Sequence, residues 1–144
     1  MRSCSLLALP AVRRVPQNGC RGRFSASVEK VLDGDTLVVE AQIWLGVAVT
    51  TRVRIRGIDT PEVHRPQCDY ERAMGLKATE KLVSLAGEAV VLADVENDKY
   101  GGRVDATVRT PAGIDIADAM IASGLARPYD GSARGDWCAT GSIN

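Results

Sequence analysis

Between Thr51 and Glu62 the chain passes from one backbone regime to another. Thr51, Val53 and Ile55 alternate with Arg52, Arg54 and Arg56, the two-residue period of a strand whose successive side chains point to opposite faces. That strand cannot run on beyond Ile58. Gly57 relaxes the backbone, Pro61 lacks the N–H that a ladder needs, and the residue before a proline is held extended. The stretch therefore carries guanidinium groups along one strand face and sets two carboxylates, Asp59 and Glu62, in a stiff turn at its end. A solvated surface also shows an arginine face, and Asp-Thr-Pro-Glu is a common helix start, with Asp or Thr as cap and Pro in the first turn. A second acidic turn upstream, Asp33-Gly34-Asp35-Thr36, favours a site.

The rest of the body arranges itself around these two turns. Phe24, Ala26 and Val28 alternate, and a first strand is expected over 24–32. Asp33-Gly34 is a hairpin signal that returns the chain antiparallel over 36–44, and Gly46 turns it again into a third strand over 47–58. From Cys68 to Ala86 the period changes: Ala73, Leu76, Thr79/Glu80, Val83 and Ala86 recur at helical spacing, and Gly87 is the stop. Strands are expected again over 88–95 and 103–109, separated by the polar loop Glu96-Asn-Asp-Lys-Tyr-Gly-Gly102. A turn at 110–113 leads to a short helix over 116–123, ended by Gly124. This order predicts an α+β, mainly β domain: a small closed barrel of five strands with two helices, one of them packed between the third and fourth strands.

At 144 residues, 45% hydrophobic and 25% charged, the chain has the size and balance of one globular domain. Eighteen Lys and Arg offset eighteen Asp and Glu, so a polyanionic partner would have to be met by a local cluster of cations rather than by the whole surface. No apolar run approaches the roughly 20 residues of a membrane span, and no membrane partner is expected.

Residues 1–23 stand apart. They hold two prolines, Cys4, Cys20 and five arginines but no acid. A positive start followed by a short apolar segment has the order of a signal peptide, which would favour secretion or the periplasm; a disordered start is the alternative. The remaining cysteines, Cys68 and Cys138, form no Cys-x-x-Cys pair and no Cys/His cluster, which argues against zinc. A disulfide between them would tie the loop after Glu62 to the C-terminal tail, and the sequence leaves that pairing open. His64, the sole histidine, reads as a loop residue.

If the third strand pairs with the second, Asp35 and Asp59 approach one another across the barrel wall. Two such carboxylates repel unless a cation lies between them, and an all-oxygen set favours a hard ion such as Ca²⁺ or Mg²⁺. So few protein oxygens leave positions for water and for a substrate phosphate. Arg54 and Arg103 suit that phosphate, because a planar guanidinium makes paired hydrogen bonds and keeps its charge throughout a phosphoryl transition state. Tyr100 offers a ring on which a base can stack. Glu62 can orient or deprotonate an attacking water.

Three motifs in this order, Asp33-Gly-Asp35-Thr, Arg54 followed by Asp59-Thr-Pro-Glu62, and Asp98-Lys-Tyr-Gly-Gly-Arg103, resemble the staphylococcal nuclease (thermonuclease) family. The likeness spans about Phe24 to Tyr129 and includes Gly124-Leu-Ala126. It implies an OB-fold barrel and a monomeric Ca²⁺-dependent phosphodiesterase. Such an enzyme cuts single-stranded DNA and RNA with little sequence preference and leaves 3′-phosphorylated products. By the motif, Asp35, Asp59 and the Thr60 carbonyl would hold calcium, Glu62 would act on water, and Arg54 and Arg103 would stabilise the phosphate. Lys99, Tyr100 and Tyr129 would lie along the nucleotide. The chain departs from the staphylococcal pattern in the double glycine before Arg103, as in many proteobacterial relatives, and in the loop after Glu62. Few residues follow Trp137, so no third, C-terminal helix is expected. The expected division is a leader over 1–23, the nuclease-like domain over 24–130 and a tail over 131–144. The competing reading is a non-catalytic OB-fold module that binds nucleic acid or a protein; a folded but inactive remnant is a third.

Overall fold

The computed structural model describes residues 20–139, and the expected leader over 1–23 lies outside them except for its last four residues. Three consecutive strands, β1 (Cys20–Asp33), β2 (Thr36–Trp44) and β3 (Val47–Ile55), form the expected antiparallel meander. The first strand begins at Cys20, with Cys20 opposite Val95 and Arg23 opposite Ala93, ahead of the alternation that starts at Phe24. The third ends at Ile55 rather than Ile58. Gly57 adopts a left-handed conformation there, and Ile58–Asp59 becomes a separate two-residue strand, β4.

Helix α1 (Asp69–Ala86), strands β5 (Ala89–Asn97) and β6 (Arg103–Arg109), helix α2 (Ile116–Ala122) and a short strand β7 (Arg127–Pro128) complete the order. Closure follows the sequence β1-β2-β3-β6-β5 and back to β1. All contacts in that ring are antiparallel except β3 with β6, which run parallel with Arg54 opposite Asp105. The result is a five-stranded closed barrel with two helices among the described residues, an OB-type fold of the α+β class.

The barrel interior takes one face of each strand. Val53 and Ile55 of β3, Leu37 and Val39 of β2, Leu92 of β5 and Val108 of β6 are fully buried together with Leu82 of α1 and Met120 of α2. Each such side chain contributes about 1.5–3 kcal/mol on leaving water. The alternation around Arg54 thus has the predicted sense, aliphatics inward and arginines outward.

Helix α1 has the expected span but not the face that its spacing signalled. Its buried residues are Glu71, Gly75, Ala78, Leu82 and Ala86, whereas Leu76 and Val83 are exposed. The reason is clearance. A Cβ on Gly75 would come within 2.8 Å of the Pro61 carbonyl oxygen, and one on Gly34 within 2.7 Å of the Ala78 Cβ. At Gly75 and Ala78 the helix lies so close to the two acidic turns that only small side chains fit there, which leaves its buried face with a weak apolar pattern.

Candidate active site

The first turn is clamped from two sides. At Gly34 the barrel's hairpin meets both Ala78 of α1 and Thr60, whose Oγ1 would lie 2.9 Å from any added Cβ. The turns that carry Asp35 and Asp59 therefore abut. The Asp35 carbonyl accepts a hydrogen bond from the Ile55 amide at 2.8 Å, and its side chain, 11% exposed, accepts one from Thr36 Oγ1 at 2.9 Å. Burial and then the neighbouring Asp33 push the Asp35 carboxyl up, Arg54 and Thr36 pull only partly against them, and the net result is a value of about 6. Arg54 Nη2 stands 3.7 Å from Asp35 Oδ2, too long for a tight pair.

Arg54 leaves β3 toward the site and is fixed by its own chain: Nη2 donates to the Ile58 carbonyl at 3.2 Å, and the guanidinium lies 5.3 Å from the centre of the Tyr129 ring. Arg103, at the start of the neighbouring parallel strand, is held by an ion pair with buried Asp98. Asp98 in turn organises the loop, accepting the Tyr100 amide on its carboxylate and the Gly101 amide on its carbonyl. Gly101 and Gly102 both have positive φ, near 67° and 69°, a pair of left-handed residues that only glycines adopt without strain. Tyr100 projects from this loop, 73% exposed, with the Lys99 ammonium and the Arg103 guanidinium over its ring at 5.0 and 5.4 Å. Asp35, Arg54, Glu62, Lys99, Arg103 and Tyr129 line one groove of about 800 Å³, with Tyr100 at its wall.

The second turn is held by the tail. Ile58 and Asp59 pair with Pro128 and Arg127 of β7, and the Tyr129 amide donates to the Gly57 carbonyl. Asp59-Thr-Pro-Glu62 does not open a helix; α1 starts at Asp69, capped by the Cys68 sulfur. Instead buried Glu71 reaches back from α1 and accepts the Glu62 amide at 3.2 Å and the Gln67 amide at 2.7 Å. Asp59, 2% exposed, has both oxygens engaged: Oδ1 accepts from Arg134 Nε at 2.7 Å and Oδ2 from Trp137 Nε1 at 3.0 Å. Arg134 Nη2 also donates to the Thr60 carbonyl at 3.0 Å, and Nη1 to Glu62 Oε1. Burial alone would pull this guanidinium down, but its bonds to Glu62 and Asp59 carry it above the ordinary range. Cys138 is joined to Cys68 by a disulfide, which resolves the open pairing and ties the tail to the start of α1.

Seven of the nine residues singled out in the sequence thus border one groove, and Asp59 and Thr60 lie beneath Arg134 at its end. His64 is an exposed loop residue. Arg134, Trp137 and Glu71 went unrecognised as parts of the site, and Asp98 stands in the sequence motif with no role of its own. The one signal for the first two was an indole beside a cysteine in a polar tail, a hint that the tail docks on the body. Among the described residues no three His, Cys, Asp or Glu side chains cluster as a metal site. The donors nevertheless fit a hard cation. The Asp59 carboxylate and the Thr60 carbonyl already converge on one positive group, Arg134, and Asp35 is a buried carboxylate without a tight partner in the abutting turn.

A closed barrel whose groove combines four arginines, two tyrosine rings and buried acids defines an OB-type domain suited to a phosphate-bearing polymer. Residues 52–136, more than half of the chain, match the family model described as staphylococcal nuclease homologue, and the chain belongs to that family. A search of curated proteins found no match.

Proposed function

We propose that the protein is a calcium-dependent nuclease that hydrolyses single-stranded DNA and RNA with little sequence preference and leaves 3′-phosphorylated ends. The observation that carries the reading is the shared groove of Asp35, Arg54, Glu62 and Arg103, in which carboxylates and guanidinium groups face a single space. Family membership supports nuclease chemistry there.

In this reading Asp35, Asp59 and the Thr60 carbonyl would hold the ion beside the substrate phosphate. A bound divalent cation supplies positive charge against the scissile phosphate. Arg54 and Arg103, from adjacent parallel strands, grip its non-bridging oxygens and stabilise the charge that builds up as water attacks. Glu62 takes the proton of that water, the new P–O bond forms as the bond to the 5′ oxygen breaks, and the departing 5′ oxygen takes up a proton from solvent. The phosphate therefore stays on the 3′ side. Asp98 acts through Arg103 by fixing its guanidinium, and Glu71 acts through Glu62 by holding its amide. Lys99, Tyr100 and Tyr129 bind the neighbouring nucleotides by charge and stacking. The nine residues need no second subunit.

One observation favours the alternative, a domain that binds nucleic acid without cutting: Arg134 and Trp137 engage Asp59, and Arg134 engages Glu62. The two readings separate when the purified protein is incubated with denatured DNA and with RNA in Ca²⁺, in Mg²⁺ and in chelator. Digestion with Ca²⁺, abolished by chelator and yielding 3′-phosphate ends, is the expected outcome. Folded protein that retains both nucleic acids in every condition without cutting them would establish the binding module instead.

A further inference from the structure

Arg134 makes contacts that a metal ion would make. Its three nitrogens address the Asp59 carboxylate, the Thr60 carbonyl and the Glu62 carboxylate, oxygens that the nuclease reading assigns to calcium and to water. The tail that carries it is anchored on both sides: β7 pairs with β4 before it, while Trp137, buried against Asp59 and under the Arg127 guanidinium at 3.8 Å, and the Cys68–Cys138 disulfide follow it. Between these anchors, residues 130–136 are exposed and form neither helix nor strand. Arg134 can thus leave while Trp137 keeps Asp59 Oδ2 in place, with Oδ1 released.

We propose that Arg134 is a built-in competitor of the metal, and that residues 130–138 form a strap whose opening admits a divalent cation to Asp59 and Thr60 and frees Glu62. This rests on the nuclease reading of those residues. A tethered cation is present at a high effective concentration, so an ion from solution binds only at the expense of the guanidinium's contacts. Substrate favours opening as well, because a phosphate in the groove offers Arg134 another anion and adds ligands to the ion.

The disulfide sets how tightly the strap is held. A dithiol reductant opens it by thiol–disulfide exchange: two electrons and two protons pass to Cys68 and Cys138, which become thiols, and the dithiol becomes a cyclic disulfide. The strap then keeps only its β7 and Trp137 anchors. The protein is accordingly least ready to bind metal when oxidised and without substrate.

Calcium titration calorimetry on the folded full-length protein tests the strap without relying on cleavage. Arg134→Ala should bind Ca²⁺ about tenfold or more tightly than the oxidised wild type. Arg134→Lys, which keeps the charge but not the three-way fork, should fall between them. Reduction should raise the wild-type affinity and leave Arg134→Ala unchanged. Equal or weaker Ca²⁺ binding by Arg134→Ala overturns the competitor, and the nuclease reading survives if that variant still cuts DNA in Ca²⁺. Wild-type affinity indifferent to reduction overturns the disulfide latch. Absence of Ca²⁺ binding and of cleavage in every form overturns the strap and the nuclease reading together.

Discussion

The two acidic turns are built differently although both bury an aspartate. Asp35 sits in a tight hairpin between consecutive strands, accepts one hydroxyl hydrogen bond, and has its nearest guanidinium 3.7 Å away. Asp59 sits in an irregular turn and has each oxygen taken by a donor from the far end of the chain. Burial of an unpaired carboxylate is costly, and the rise of Asp35 toward 6 expresses that cost. The Asp59 turn escapes it by borrowing a cation and an indole from the tail. One half of the site is therefore short of positive charge, and the other is supplied with it by a removable group. Such an arrangement suits a cleft whose charge balance is completed only when an ion and a phosphate arrive.

The contrast breaks most visibly at Glu62. Glu62→Gln keeps the shape of the turn but cannot take a proton, and turnover should fall on the order of 10²-fold or more with nucleotide affinity nearly intact. Single-turnover cleavage alongside a binding isotherm reads both, and an unchanged rate would remove Glu62 from the chemistry. Next in size is the tether. Cys138→Ser opens a disulfide that spans 70 residues, and about 2–4 kcal/mol of stability should be lost in urea unfolding. The loss should loosen the Asp59 turn and spare the Asp35 hairpin, as amide exchange would report.

Asp35→Asn sharpens the comparison from the other side. A carboxyl whose folded pKa lies near 6 rather than 3.8 contributes stability below pH 3.8 and loses it as pH rises through 6, so the ionised group opposes folding at neutral pH. The amide should therefore stabilise the metal-free protein at pH 7 by up to roughly 2–3 kcal/mol and weaken Ca²⁺ binding. In the wild type, Ca²⁺ affinity should decline as pH falls below 6, because the proton and the cation compete for the same oxygens. The smallest effect is expected where the turns touch. Gly34→Ala places a methyl against Ala78 and Thr60, and should cost on the order of 1 kcal/mol while parting the turns enough to weaken Ca²⁺ binding.

How much of this was legible depended on the range of the interaction concerned. The Arg52–Ile55 alternation, the extent of α1 and the strand over 103–109 follow from local backbone and side-chain preferences and appear where the sequence placed them, whereas the third strand ends at Ile55 and breaks at Gly57 rather than running to its expected end at Ile58. The α1 face was misread because the helix lies against backbone at Gly75 and Ala78, so its inner surface is small rather than apolar. Pairing of β3 with β6 in parallel, and of β4 with β7, joins segments far apart in the chain and leaves no period behind. The groove residues were legible because their types and spacings form motifs. Their supports were not: Glu71 resembles any helix-start acid, and Arg134 any tail cation.

By itself, then, the sequence determined a β-rich barrel, the two acidic turns at strand ends and the arginines that face them, since strand alternation and the constraints of glycine and proline act over a few residues. Only the tertiary structure decided which cation meets Asp59. Arg134 and Asp59 are 75 residues apart, and they meet because barrel closure, the β4–β7 pair and the Cys68–Cys138 link bring the tail across the turn. Charge pairing over such a distance is set by where the backbone returns, which no local pattern encodes.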